Sequence, residues 1–115
     1  MVKRKGNYTV QQNENMRGGE GLVVIEHLLT KEELYDKGRL YAKIILEPGC
    51  SIGNHVHEGE MESFYIVSGE AEISDNGELV TVYSGDSILT PSGEGHSVKN
   101  NGSTTLEMIA LILFK

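Results

Sequence analysis

Short apolar and β-branched segments, each closed by a glycine, proline or asparagine turn, recur along most of this chain and restrict what it can fold into. Gly21 to Leu29 (GLVVIEHLL) and Leu40 to Glu47 (LYAKIILE) have the composition of strands. Pro48-Gly49 then supplies a turn, because proline presets φ at the first central position and glycine tolerates φ > 0 at the second. Glu62 to Ser68 (ESFYIVS) reads as a further strand, and Ala71 to Ile73 and Leu79 to Tyr83 flank the hairpin signal Asn76-Gly77. Ser87 to Thr90, His96 to Lys99 and Thr105 to Phe114 complete the set. One short helix is expected: Thr30 and Glu33 fit a reciprocal cap, Lys31 to Asp36 favours helix, and Gly38 suits its C-terminal stop. Many short strands with one helical patch indicate an all-β sandwich or barrel. At 115 residues, with no linker, repeat or low-complexity stretch, a single domain over residues 1–115 is expected.

Composition narrows the partners. The net charge of -7 argues against nucleic acid, which demands a basic face; the one basic cluster, Lys3-Arg4-Lys5, reads as a solvated tail. The longest apolar run, Met108 to Phe114, is far short of the roughly 20 residues that span a bilayer. No apolar stretch follows the basic N-terminus, so no secretory signal is expected and the cytoplasm is the expected location. Cys50 is the only cysteine, which excludes an internal disulfide and any multi-cysteine zinc site.

The chemistry-bearing residues are histidines. His55-Val56-His57 places two imidazoles on one face of a strand, where both can reach one ion. Glu62 lies five residues beyond His57, a spacing that would reverse its face on an unbroken strand, but Gly59 permits a bend that turns it back. His96 follows Pro91-Ser92-Gly93-Glu94-Gly95, whose glycines allow the backbone to aim a side chain inward. Three imidazoles and a carboxylate suit a divalent transition metal (Mn, Fe, Ni, Co, Cu or Zn), whereas Ca and Mg favour oxygen shells. In a six-coordinate ion, two positions would stay open to water, dioxygen or a substrate.

At these residues the sequence resembles the cupin superfamily, and specifically its small single-domain members. The first cupin motif runs Gly, five residues, His-x-His, three or four residues, Glu, six residues, Gly, and Gly49, His55, His57, Glu62 and Gly69 match it throughout. The second runs Gly, five residues, Pro-x-Gly, two residues, His, three residues, Asn, and Gly85, Pro91, Gly93, His96 and Asn100 match it too. The motifs occupy residues 49–69 and 85–100 and are specific for fold and metal site, not for reaction. The resemblance implies a cupin-type double-stranded β-helix, or jelly-roll barrel, with His55, His57, Glu62 and His96 as metal ligands. It also implies a homodimer, for which an edge strand at Tyr8 to Gln12 or Leu22 to Leu29 could supply the pairing surface.

Around that centre, Phe64 and Ile66 share the face of Glu62 and are expected to wall the ligand pocket, with Met108 on the strand at the C-terminal end of the barrel. Glu58 and Glu60 are expected to be solvated carboxylates in the bend. His27 shares a face with Val23, Ile25 and Leu29, which makes it a candidate supporting or proton-transfer group; a core histidine bonded to a backbone carbonyl is the alternative. Arg39 and Lys43 could hold an anionic substrate if they faced the pocket, but alternation places Lys43 outside, with Ala42, Ile44 and Leu46 inside. Two functional readings follow. One is a metal-dependent enzyme on a small organic molecule, of the dioxygenase, isomerase or decarboxylase class. The other is a metal-assisted small-molecule binding or sensing barrel without turnover.

Overall fold

A computed structural model describes residues 1–115. Ten strands form two antiparallel sheets: β1 (Thr9–Glu14), β2 (Leu22–Leu29), β3 (Gly38–Leu46), β4 (Ser51–Val56), β5 (Glu60–Ser68), β6 (Glu70–Asp75), β7 (Glu78–Tyr83), β8 (Ser87–Thr90), β9 (Gly95–Lys99) and β10 (Leu106–Phe114). The order is β1-β2-β3-β10-β5-β8 in the six-stranded sheet and β4-β9-β6-β7 in the other, the double-stranded β-helix expected from the motifs. No helix is long and apolar enough to cross a membrane.

Turn chemistry accounts for the connections. Cys50 N–H donates to Glu47 O across Pro48-Gly49, with Gly49 at φ 85, the second central position that glycine serves. Asn76 and Gly77 both take positive φ between β6 and β7, as a two-residue hairpin matched to strand twist requires. The expected helix is one turn of 3-10 helix at Glu32–Leu34, held by the reciprocal cap: Thr30 N–H donates to Glu33 Oε1 and Glu33 N–H to Thr30 Oγ1. Its stop is not Gly38. Tyr35 and Asp36 take the left-handed conformation, and Gly38 instead opens β3, where a Cβ would lie 2.3 Å from Ile112 O. Nor is Leu22 to Leu29 an edge: β1, a largely polar and exposed strand, pairs along it and takes the edge itself.

Cross-strand register stacks the inward side chains in layers. Leu46 pairs with Leu106; Ile44, Met108 and Ile66 align across β3, β10 and β5; Ala42, Ala110 and Phe64 form the next row. The last row is Leu40, Ile112 and Glu62, continued by Thr90 of β8. Ala42, Ile44 and Leu46 point in, as alternation predicts, while Lys43 lies outside within 3.7 Å of Glu107. The opposing sheet contributes Ile52, Ile73 and Val98 to the same core.

Candidate metal centre

The polar row of the barrel is where four donors meet. His55, His57, Glu62 and His96 place one ligand atom each within 4.8 Å of one another, and the last three are buried. A bulge in β4 brings the first pair there. Ile52 pairs with Val98 but His55 pairs with His96, so β4 carries one more residue than β9 over this stretch. Without it, Ile52 and His55 would face opposite sides; with it, Ile52 fills the core and His55 still points inward. Gly59, at φ 73, makes the bend that returns the chain to Glu62.

Each imidazole is fixed by its second nitrogen. His55 Nδ1 donates to Gly53 O at 2.8 Å, and His57 Nδ1 to Glu60 Oε1 at 2.9 Å. A carbonyl and an ionised carboxylate only accept, so both rings carry the proton on Nδ1 and, when neutral, turn a bare Nε2 to the centre. His96 Nδ1 is paired with the buried Thr90 hydroxyl at 2.9 Å, and its ring stacks on Phe64 at 5.0 Å between centroids.

The Nε2 atom of His96 therefore lies 3.1 Å from that of His57 and 3.2 Å from that of His55. Glu62 Oε1 is 2.9 Å from Nε2 of both His57 and His96. Electron-rich atoms this close repel unless a proton or a cation lies among them. The spacing suits a cation, since two nitrogens bound at about 2.1 Å and at right angles are about 3.0 Å apart. Burial is the largest influence on Glu62 and acts to raise its pKa, yet hydrogen bonds to His57 and His96, with their nearby charge, carry it below the ordinary carboxylate value. His57 is raised, chiefly by its hydrogen bond to Glu62, and His55 is lowered, chiefly by burial.

Glu60 departs from expectation. It opens β5 on the face of Glu62, one row further out, and is not a solvated carboxylate of the bend. Its oxygens receive Arg39 Nε at 2.7 Å and Nη2 at 2.6 Å as well as His57 Nδ1. The Arg39 hydrogen bond leads in holding its pKa down at about 2. Arg39, Glu60 and Thr90 are the supporting residues that sequence reasoning did not assign. Glu60 could have been found from its spacing of two from Glu62; Thr90 has no local signal, because only sheet register brings it beside Glu62.

A cavity of about 210 Å³ opens beside the donors. Phe64 and His27 line it. Ile66 and Met108 do not: both are fully buried in the core, one row below Phe64, whose ring closes that side. His27 Nε2 donates to Gln11 Oε1 at 3.0 Å, a side chain and not a backbone carbonyl, and no hydrogen bond joins it to the four donors.

A family model for the cupin domain matches residues 42–112. A Thermotoga maritima protein named an oxalate-binding protein is 48% identical over 113 residues, covering 98% of this chain and 93% of that one. A crystal structure from the same organism, described as a predicted oxalate decarboxylase, has a TM-score of 0.96 and 47% identity, with 100% of both chains covered. A putative mannose-1-phosphate guanylyltransferase of Vibrio cholerae is 30% identical over 83 residues, which are 70% of this chain but only 18% of that protein.

Proposed function

This chain belongs to the cupin family, and from that premise we propose that it is a metal-dependent protein acting on a small carboxylate such as oxalate. His55, His57, Glu62 and His96 would hold a divalent transition metal, drawn from Mn, Fe, Ni, Co, Cu and Zn. The observation that carries this reading is the convergence of three Nε2 atoms and one carboxylate oxygen, with each ring locked from behind. When bound, the ion would supply Lewis-acid chemistry to ligand oxygens. The protein contributes tautomer control through Gly53 O and Glu60, a dry floor at Phe64, and a cavity below the roughly 300 Å³ at which drug-sized ligand pockets begin.

Elemental analysis of protein purified without affinity metals should give one transition-metal ion per chain, and His55→Ala and His96→Ala should abolish it. Full uptake in both variants would end this reading. Turnover is a separate question. Oxalate incubated with Mn-loaded protein would be split, with uptake of a proton, into carbon dioxide and formate, both visible by ¹³C NMR. Intact oxalate that is nonetheless bound would favour the second reading, a metal-assisted binding barrel without turnover. That reading is supported by the name of the Thermotoga relative and by His27, whose Nε2 proton is engaged by Gln11 and not by a group in the donor cluster. Residues 1–115 act in either case as a single domain, and β1 is the edge proposed to pair in a homodimer.

A further inference from the structure

Two arginines line the cavity beside the donors, Arg17 and Arg39, and Glu62 is the one acidic residue that does. They differ in what they touch. Arg39 is matched to Glu60 through two short hydrogen bonds, so its charge is balanced. Arg17 has no carboxylate within ion-pair distance. In a chain of net charge -7, an unmatched cation at the mouth of a cavity is the exception to the surrounding field.

Arg17 is also held in place by its backbone. It takes the left-handed conformation, φ 55 and ψ 30, which is disfavoured for a residue with a Cβ. The turn that carries it is seated directly on the bulged strand β4: a Cβ at Gly53 would lie 2.0 Å from Arg17 O, and one at Gly19 would lie 2.3 Å from Ser51 O. Asn15 N–H donates to Gly21 O, Gly18 N–H to Asn15 O and Ser51 N–H to Glu20 O, while Met16 packs against the core. Gly53 is the residue whose carbonyl fixes His55, so the turn and the donor cluster rest on one piece of backbone. The backbone that carries Arg17 is thus anchored beside the cavity, so the residue need not be recruited from a free terminus.

We propose that Arg17 is a specificity-determining residue: it receives one carboxylate of a small dicarboxylate whose other oxygens reach the four-donor centre. This rests on the metal-dependent reading above and narrows its ligand class from carboxylates in general to dianions that span from centre to rim. Charge-assisted hydrogen bonds from a guanidinium to a carboxylate are the strong, oriented kind, and glutamine cannot replace the charge.

The test is calorimetric titration of Mn-loaded protein with oxalate, with malonate and with formate, alongside metal content, for wild type, Arg17→Gln, Arg17→Lys and the tail control Arg4→Gln. Arg17→Gln should weaken binding of the preferred dicarboxylate about tenfold or more, leaving metal content and formate affinity unchanged. Arg17→Lys should recover part of the loss, and Arg4→Gln should match wild type. Dicarboxylate affinity within twofold of wild type in Arg17→Gln overturns the proposal. An equal loss in Arg4→Gln overturns it too, since only bulk charge would then matter, as does a parallel loss of formate binding and metal, which would mark a structural role. A wild-type protein that takes up metal but binds none of the three anions fails at the proposed ligand itself, and this inference falls with it. Dicarboxylate binding that is indifferent to Arg17 leaves the proposed function standing and removes only this residue.

Discussion

Glu62 and Ile66 lie four residues apart on one face of β5, both buried, and they belong to different worlds. The row of Ile66 and Met108 is apolar and held by close packing, with only its third member, Ile44, reaching the cavity. The row of Glu62, with Thr90 beside it, buries a carboxylate within 2.9 Å of His57 and His96, whose ring nitrogens are held from behind by Glu60 and Thr90. A buried charge is tolerated only when paired and hydrogen-bonded, so this end of the barrel trades packing freedom for fixed polar geometry. Equal burial at the two ends therefore reflects opposite physics: one row would lose stability from a missing methylene, the other from a missing partner.

The contrast can be tested by damaging one end and measuring both. Ile66→Ala or Met108→Ala should cost about 2 to 5 kcal/mol in denaturant unfolding while metal content stays at one per chain; a core variant that also lost metal would show that the two ends are not separable. His55→Ala should do the reverse. Its metal affinity should drop by more than about 100-fold in a chelator competition, with the unfolding midpoint of the metal-free protein nearly unchanged. Glu60→Gln should weaken metal binding by roughly tenfold, because it loosens the grip on His57 Nδ1. The same variant has an acid signature. The folded pKa of Glu60, about 2, lies below the ordinary value of 4.5, so the stability it contributes is full above pH 4.5 and drains away as pH falls toward 2. Wild type should lose stability over that window more steeply than Glu60→Gln, and parallel acid curves would remove this account. The smallest effect belongs to neither end: Gly77→Ala, at φ 92 in the β6–β7 turn, should cost about 1 kcal/mol and leave metal affinity untouched.

What could be deduced without coordinates follows the same division. Alternation and turn residues located most strands, because those signals are local: Pro48-Gly49, Asn76-Gly77 and the Thr30–Glu33 cap all act within four residues. The motif spacings singled out the four residues that converge. Alternation assigns a face and not a depth, so it puts Ile66 and Met108 in the cavity wall beside Phe64 when they lie in the core below it. The β4 bulge is not legible in the sequence, although Gly53 sits within it, since one extra residue is visible only against the partner strand. Arg39 and Glu60 are 21 residues apart, and Arg17 reaches the cavity from a turn with no recognisable pattern.

The position of β10 has a consequence for how this molecule comes into being. It lies between β3 and β5 in the middle of the six-stranded sheet, although it follows both by tens of residues. Until Leu106 to Phe114 has been synthesised, β3 and β5 each lack a neighbour along one whole edge, and Glu62 has no settled row to sit in. A nascent chain halted before that point would expose two apolar strand edges to any other chain nearby. Closure is then a late, long-range event of the slow, topology-limited kind, in which sheet and donor cluster are completed together.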